Sequence, residues 1–139
     1  ASVSGDIVSV HGGVMGQHRG IHCYTVGQRK GVGVAGGKPL YVVRVERGSN
    51  RVVLGEREDV MTNKMFVQSV NWLEDYSVGE KIALLTQIRY NHAAGKSIVR
   101  KTDSESAEVE FAEPQFAITP GQAAVFYDGE QVVGGGWIS

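Results

Sequence analysis

The stretch Lys81-Ile82-Ala83-Leu84-Leu85-Thr86-Gln87-Ile88-Arg89-Tyr90 decides the fold class. Ile82, Leu84, Thr86, Ile88 and Tyr90 alternate with Ala83, Leu85, Gln87 and Arg89, which is the two-residue period of a strand. Its surroundings are punctuated by turns. Nineteen glycines and three prolines leave little room for long helices. Downstream, Ser97–Lys101 and Ala107–Phe111 read as a hairpin over Thr102–Ser106. Thr119-Pro120-Gly121-Gln122 has Pro then Gly at the centre, the order of a type II turn. Ala123–Tyr127 and Glu130–Val133 flank Asp128-Gly129, which favours a type I′ turn. Gly134-Gly135-Gly136 is expected to break or bulge the last strand before Trp137-Ile138. Upstream, Met65–Trp72 is one more strand, and Trp72 and Trp137 are expected in the core. Six short strands over residues 61–139 predict a small closed barrel.

Residues 1–60 read as a smaller β unit. Asp6–Val10 and Val14–His18 flank His11-Gly12-Gly13, and Leu40–Glu46 and Arg51–Glu56 flank Arg47-Gly48-Ser49-Asn50. Between these hairpins lies His18–Gly31, HRGIHCYTVGQRKG, with one helical turn over Ile21–Thr25. Met61-Thr62-Asn63-Lys64 is the expected boundary, because the charge changes sign there. Residues 1–60 carry eight Lys/Arg against five acids, and residues 61–139 carry six against ten. The predicted fold is therefore all-β: a β-rich domain at 1–60 with a basic, Gly-rich loop, then a six-stranded antiparallel barrel at 61–139.

A net charge of -1 excludes a general polyelectrolyte binder. The window from His18 to Lys38 nevertheless contains no acid. It combines cations, histidines and Tyr24 among glycines, a composition that suits a phosphate backbone and is a poor candidate for core. One cysteine excludes an internal disulfide framework and a multi-cysteine zinc site, and fits a reducing cytoplasm. No apolar run reaches the length of a membrane span, and no charged-then-apolar segment opens the sequence, so the expected place is cytoplasmic.

Gly31-Val32-Gly33-Val34-Ala35-Gly36 matches G-x-G-x-x-G, but Gln28-Arg29-Lys30 precedes it and Gly37-Lys38-Pro39 follows. A dinucleotide site needs a strand before the glycines and a helix after them. His18 and His22 are spaced i, i+4 across Gly20 with no carboxylate nearby, which reads as polar loop surface and not as a metal site. Cys23 as a nucleophile has His22, Arg29 and Lys30 near in sequence but no orienting Asn or Asp. Arg89-Tyr90 reads either as a rim arginine with a half-buried tyrosine, or as a guanidinium for phosphate beside a ring that stacks on an unpaired base. Gln122 either closes its turn or contacts a base edge or sugar.

Several blocks occur together in the order of one known family: His18-x-Gly20, Tyr24-Thr25-Val26-Gly27-Gln28-Arg29-Lys30-Gly31, Tyr41-Val42-Val43, Ile88-Arg89-Tyr90, Glu113-Pro114, Ala117–Tyr127 and Gly134-Gly135-Gly136. The chain resembles the C-terminal part of the tRNA-specific 2-thiouridylases, from Gly5 to Ile138. The resemblance implies a central β-rich domain and a C-terminal barrel similar to a barrel domain of translation elongation factors. It also implies an ATP-dependent sulfurtransferase that 2-thiolates wobble uridine 34 of tRNA. ATP and the two catalytic cysteines belong to an N-terminal domain, and this sequence is expected to begin just after the second of them. No SGGxDS-like ATP loop is present here, and Cys23 sits where relatives carry a non-catalytic residue. The expected role is therefore tRNA holding, with no catalytic residue, metal or cofactor of its own.

By the resemblance, Arg89, Tyr90 and Gln122 match tRNA-contacting positions. Asn91 stands where relatives often carry a second arginine. Gln28, Arg29 and Lys30 are assigned by their chemistry to the tRNA backbone or to interdomain contact. Expected partners are the tRNA anticodon stem-loop and the family's N-terminal catalytic domain, with a sulfur-relay protein as a further one and no membrane. The rival readings are a non-catalytic docking module for such a protein and a small enzyme built on Cys23.

Overall fold

A computed structural model of the chain describes residues 3–29, 31–32, 34–35 (backbone) and 37–139. In chain order its strands are β1 (Gly5–Ser9), β2 (Val14–His18), β3 (Val34–Ala35), β4 (Lys38–Pro39), β5 (Tyr41–Glu46), β6 (Arg51–Gly55), β7 (Met61–Trp72), β8 (Lys81–Gln87), β9 (Gly95–Asp103), β10 (Ser106–Phe116), β11 (Ala123–Asp128) and β12 (Gln131–Ile138). The helical residues among those described are two short 3-10 turns, Ile21–Cys23 and Arg57–Val60. No described helix is long and apolar enough to cross a membrane. The chain forms two compact units, Ala1–Met61 and Thr62–Ser139.

The second unit is a closed barrel in the order β10-β7-β12-β11-β8-β9. Alternation explains its interior: Leu84 of β8, Val99 of β9, Val109 and Phe111 of β10, Phe126 of β11 and Val133 of β12 all point into one cluster. Thr86 and Ser97 are the buried polar pair. Ser97 donates to the Leu84 carbonyl at 2.8 Å, and its hydroxyl meets that of Thr86 at 2.8 Å, so neither is stranded.

Several expectations shift in this unit. The strand expected from Met65 begins earlier: residues 61–64, the expected boundary, already open the twelve-residue β7. The hairpin β9–β10 turns at Ser104-Glu105, tighter than the expected five-residue loop, with Ser106 opposite Asp103. The β11–β12 corner is Gly129-Glu130, with Asp128 opposite Gln131. Gly129 has φ +62° and Glu130 is not left-handed, so the type I′ expectation fails: that turn needs positive φ at both corner residues. Gly134–Gly136 do not break β12, but the strand is irregular beside them: Val133 is an extra residue between the rungs Phe126↔Gly134 and Tyr127↔Val132. A second bulge lies across from the glycines in β7, where Ser69 takes φ +51° and the register shifts between Gly135↔Asn71 and Trp137↔Gln68. That register leaves Trp137 on the outer face at 53% exposure, not in the core. Trp72 is half-buried and stacks on Phe126 at 5.5 Å.

The first unit is a four-stranded mixed sheet, β2-β1-β6-β5, with β1 and β6 parallel. Its core is small: Leu40, Val42, Val52 and Leu54, with Ile7, Ile21, Tyr24, Val32 and Val45 packed against them. A buried histidine supplements it. His18 is 2% exposed, so the reading of His18 as polar loop surface is wrong. Its Nδ1 accepts from the Gly20 amide at 3.0 Å, and its Nε2 donates to the Asn50 carbonyl at 2.8 Å. An amide can only donate, so these partners fix the neutral Nε2–H tautomer. Asn50, itself at φ +53°, carries the tie on to the Val3 and Ser4 carbonyls. Replacing His18→Ala strands both the amide and the carbonyl in a buried site. The expected loss is about 2 kcal/mol or more in unfolding of this unit, read by urea titration.

The β5–β6 corner concentrates charge on one carboxylate. Glu46 accepts from Arg44 at 2.7 Å, Arg51 at 2.7 Å and Ser49 at 2.8 Å. Hydrogen bonds from Arg44, then Ser49, then Arg51 lower its pKa from 4.5 to about 2. Between those values the unfolded chain binds the extra proton, so stability rises with pH across that window. It is complete above the window and lost as pH falls toward 2. Glu46→Gln should flatten the acid limb of a denaturation midpoint-versus-pH curve between pH 2 and 4.5. An unchanged limb refutes the assignment.

Candidate nucleic-acid interface

The end of β8 builds the barrel's site. The ladder stops at Gln87, opposite Val125, and the chain turns at once, the His92 amide closing on the Arg89 carbonyl at 3.3 Å. Tyr90 therefore leaves the face it would share with Leu84 and Thr86 and stands 94% exposed, not half-buried. Gln87 fixes this turn. Its Nε2 donates to the carbonyls of Tyr90 (3.2 Å) and His92 (3.0 Å), while its Oε1 accepts from the Tyr127 hydroxyl at 3.1 Å. An exposed ring on a braced turn loses little conformational freedom when something stacks on it.

Arg89 points back toward the barrel rim. Its Nη2 donates to the carbonyls of Phe116 and Ala117, the latter at 3.0 Å, and its guanidinium lies 5.9 Å from the Phe116 ring centroid. Desolvation pulls its pKa below the ordinary arginine value, though it stays a cation at neutral pH. Ala117 is left-handed at φ +53°, and its carbonyl also accepts from the Thr119 hydroxyl at 2.8 Å. One guanidinium nitrogen thus clasps the segment entering the Pro-Gly turn.

That turn has the expected type II form: Gly121 at φ +89° and Gln122 N–H on the Thr119 carbonyl at 3.3 Å. The Gln122 main chain pairs with Ile138, whose amide donates to the Gln122 carbonyl at 2.8 Å. Turn closure is therefore met by backbone alone. The exposed Gln122 amide side chain has no partner among the described residues. Gln87, Ile88, Arg89, Tyr90, Gln122, Ala123 and Val125 line one open groove of about 560 Å³, and no carboxylate lines it.

In the first unit the glycine-rich loop divides. Tyr24 packs edge-on to His18 at 6.0 Å. Gln28 is a turn former: its Oε1 accepts from the Thr25 amide at 3.1 Å, and the turn is stitched to β5 by Gly27 N–H to the Val42 carbonyl (2.8 Å) and Val42 N–H to the Gln28 carbonyl (2.9 Å). This loop is thus partly core, contrary to the reading from composition. Arg29 is exposed and no described carboxylate pairs with it, whereas Lys38, Arg44 and Arg51 are engaged in ion pairs. Lys30 lies outside the described residues. The G-x-G-x-x-G run contains β3, whose Val34 pairs with Pro39 of β4, so the described residues after the run form a strand and not the helix that a phosphate site needs. Cys23 is exposed, 3.6 Å from His22 Nε2, and the described residues hold no cluster of three or more metal-ligating side chains.

Sequence reasoning missed Gln87 and the Phe116–Ala117 carbonyls. The signal for Gln87 was an outward amide at the last rung before a turn; nothing in the sequence marks a carbonyl as an arginine's partner. Arg89 and Tyr90 should therefore separate in stability. Arg89→Ala leaves two carbonyls without their charged donor and is expected to lower barrel stability by about 1–3 kcal/mol. Tyr90→Ala should stay within about 0.5 kcal/mol of the parent in the same thermal melts.

Comparison with known proteins agrees with this architecture. Residues 62–138 match the family model described as "Aminomethyltransferase beta-barrel domain", and residues 1–56 match "tRNA methyl transferase PRC-barrel domain". Among similar proteins, the tRNA-specific 2-thiouridylase MnmA of Synechococcus sp. (strain JA-3-3Ab) is 48% identical over 95% of this chain and 36% of its own length. That of Nostoc punctiforme is 46% identical over 99% and 39%, and that of Paracoccus denitrificans 44% over 100% and 36%. The chain thus spans little more than a third of the length of these relatives. With both β units matched and this identity sustained along the whole sequence, the chain belongs to the tRNA-specific 2-thiouridylase (MnmA/TrmU) family, through its central and C-terminal β domains.

Proposed function

We propose that these two β units hold tRNA for an ATP-dependent sulfurtransferase that 2-thiolates wobble uridine 34, and that ATP and the catalytic groups reside in polypeptide outside this chain. The observation that carries this reading is the barrel groove. A 94% exposed tyrosine, an arginine and an unpartnered glutamine amide converge there without a carboxylate. Tyr90 stacks on an unpaired base, and Gln122 donates to and accepts from a base edge or sugar hydroxyl. Arg89 offers the guanidinium donors not spent on Phe116 and Ala117 to a phosphate. Arg29, with Lys30 and Gln28 beside it, is the backbone contact of the first unit. The names of the relatives support the substrate class. Presenting one base to a distant pocket means unstacking it, at a cost of a few kcal/mol that contacts along the anticodon arm offset.

Anisotropy titration of the chain with a wobble-uridine anticodon stem-loop at several salt concentrations tests this. Affinity should fall with salt, and Arg29→Ala should reduce the slope by about 0.7–0.9, one phosphate's share. Tyr90→Ala and Gln122→Ala, which spare the fold, should weaken binding; for Tyr90 the loss should be about tenfold at an unchanged slope. Absent binding, or salt-insensitive binding indifferent to these variants, rejects RNA and favours the docking role.

A further inference from the structure

Trp137 is unexplained by the fold. It is 53% exposed although a neighbouring tryptophan, Trp72, is packed against Phe126 in the same barrel. Its place is set by two registers. Across β11 it pairs with Ala123, and across β7 with Gln68. Paired residues share a face of the sheet, so the indole stands outside, beside the exposed Ala123. Ala123 lines the Arg89–Tyr90–Gln122 groove. One strand spacing, about 5 Å, therefore separates the backbone under Trp137 from the groove wall. The backbone also couples them: the Ile138 amide donates to the Gln122 carbonyl at 2.8 Å, and the Gly121 amide donates to the Ile138 carbonyl at 2.7 Å.

From this placement we infer that Trp137 is a second stacking platform, which takes a base neighbouring the one on Tyr90 and extends the groove across β12. The inference rests on the RNA reading above and adds a contact to it. Two flat, exposed aromatics flanking a carboxylate-free groove with an arginine suit successive unpaired bases, because every base offers a π-face and the backbone between them is anionic. A duplex buries those faces, so the platform selects a loop over a stem. Indole stacking carries no charge and leaves the salt dependence to the cations.

The test compares Trp137→Ala, Trp137→Phe and Tyr90→Ala, each checked by thermal melt, in titrations with the anticodon stem-loop and with a fully paired RNA duplex of equal length. Trp137→Ala should weaken stem-loop binding about tenfold with the salt slope unchanged. Trp137→Phe should recover most of the loss, and duplex binding should not respond. If Trp137→Ala binds the stem-loop like the parent while Tyr90→Ala is impaired, the platform is refuted and the RNA reading stands. If the parent binds no RNA, both fall. If the parent self-associates and Trp137→Ala becomes monomeric with unaltered RNA affinity, this face is a contact between copies and the proposal is overturned.

Discussion

The barrel depends on the close approach of β12 to its two neighbours. A Cβ on Gly136 would lie 2.5 Å from the Gln68 carbonyl oxygen and 2.9 Å from a Val67 methyl. One on Gly135 would lie 2.9 Å from the Ala124 carbonyl, and one on Gly134 would lie 3.0 Å from the Trp72 ring. Side chains at these positions would push β12 off β7 on one side and off β11 on the other, and the ring of six strands would open. Glycine is needed here for lack of bulk, not for backbone freedom, since none of the three has a positive φ. The bulge at Ser69 completes the adjustment: two residues of β7 pass opposite Gly136, and the Val70 amide turns away to the Glu105 carbonyl at 2.7 Å. Closure also leaves none of the six strands as an exposed edge.

The groove inherits its geometry from that closure. Ile138, just past the glycines, is buried at 2% and clamps Gln122 through backbone bonds, while Gln87 on β8 holds the Tyr90 turn. Arg89 closes the set by tying the Phe116–Ala117 carbonyls, which lie before the Pro-Gly turn. The groove side chains thus sit where the ladders end, with the ends of β8 and β11 forming its wall and β12 holding Gln122 in place from beside it. This division is common where loops carry recognition and sheets carry position.

Much of this is legible in the residues. The alternation from Lys81 to Ile88 identifies a half-buried strand because the closed ring presents one face to a common core. The all-β class and the six-stranded barrel follow from its repetition between turns. The strand's end is not legible: residue types keep alternating to Tyr90, but the ladder needs a partner, and β11 supplies none beyond Gln87's rung. Trp137 fails for a related reason. A one-residue change of register inverts every face of a strand, and the bulge that sets the register sits in β7, far away in sequence. His18 is buried by Asn50, thirty-two residues on, a contact that composition cannot announce. The parallel pairing of β1 with β6 is equally non-local. At the candidate site, Arg89, Tyr90 and Gln122 are nominated by motif. What the sequence withholds is that Arg89's first duty is to the barrel's own carbonyls.

The distribution of charge then constrains how such a surface recognises anything. Lys64 is paired with Glu110, Arg100 with Glu108, and Lys101 donates to the Tyr76 carbonyl at 2.8 Å beside Trp72. The half of the chain that forms the barrel carries more acids than bases, and Asn91 adds no cation next to Tyr90. A surface so provisioned gains little from neutralising phosphates, and long-range attraction of a polyanion is weak. On the RNA reading proposed above, affinity at this groove would therefore rest, beside one phosphate contact from Arg89, mainly on contacts that need short range and correct geometry: stacking on exposed rings and hydrogen bonds from the Gln122 amide. Such contacts form only with bases that are already out of a helix. A weakly charged, aromatic rim thus distinguishes a loop from a stem more sharply than a basic patch does, because the phosphates that a basic patch reads are present in both.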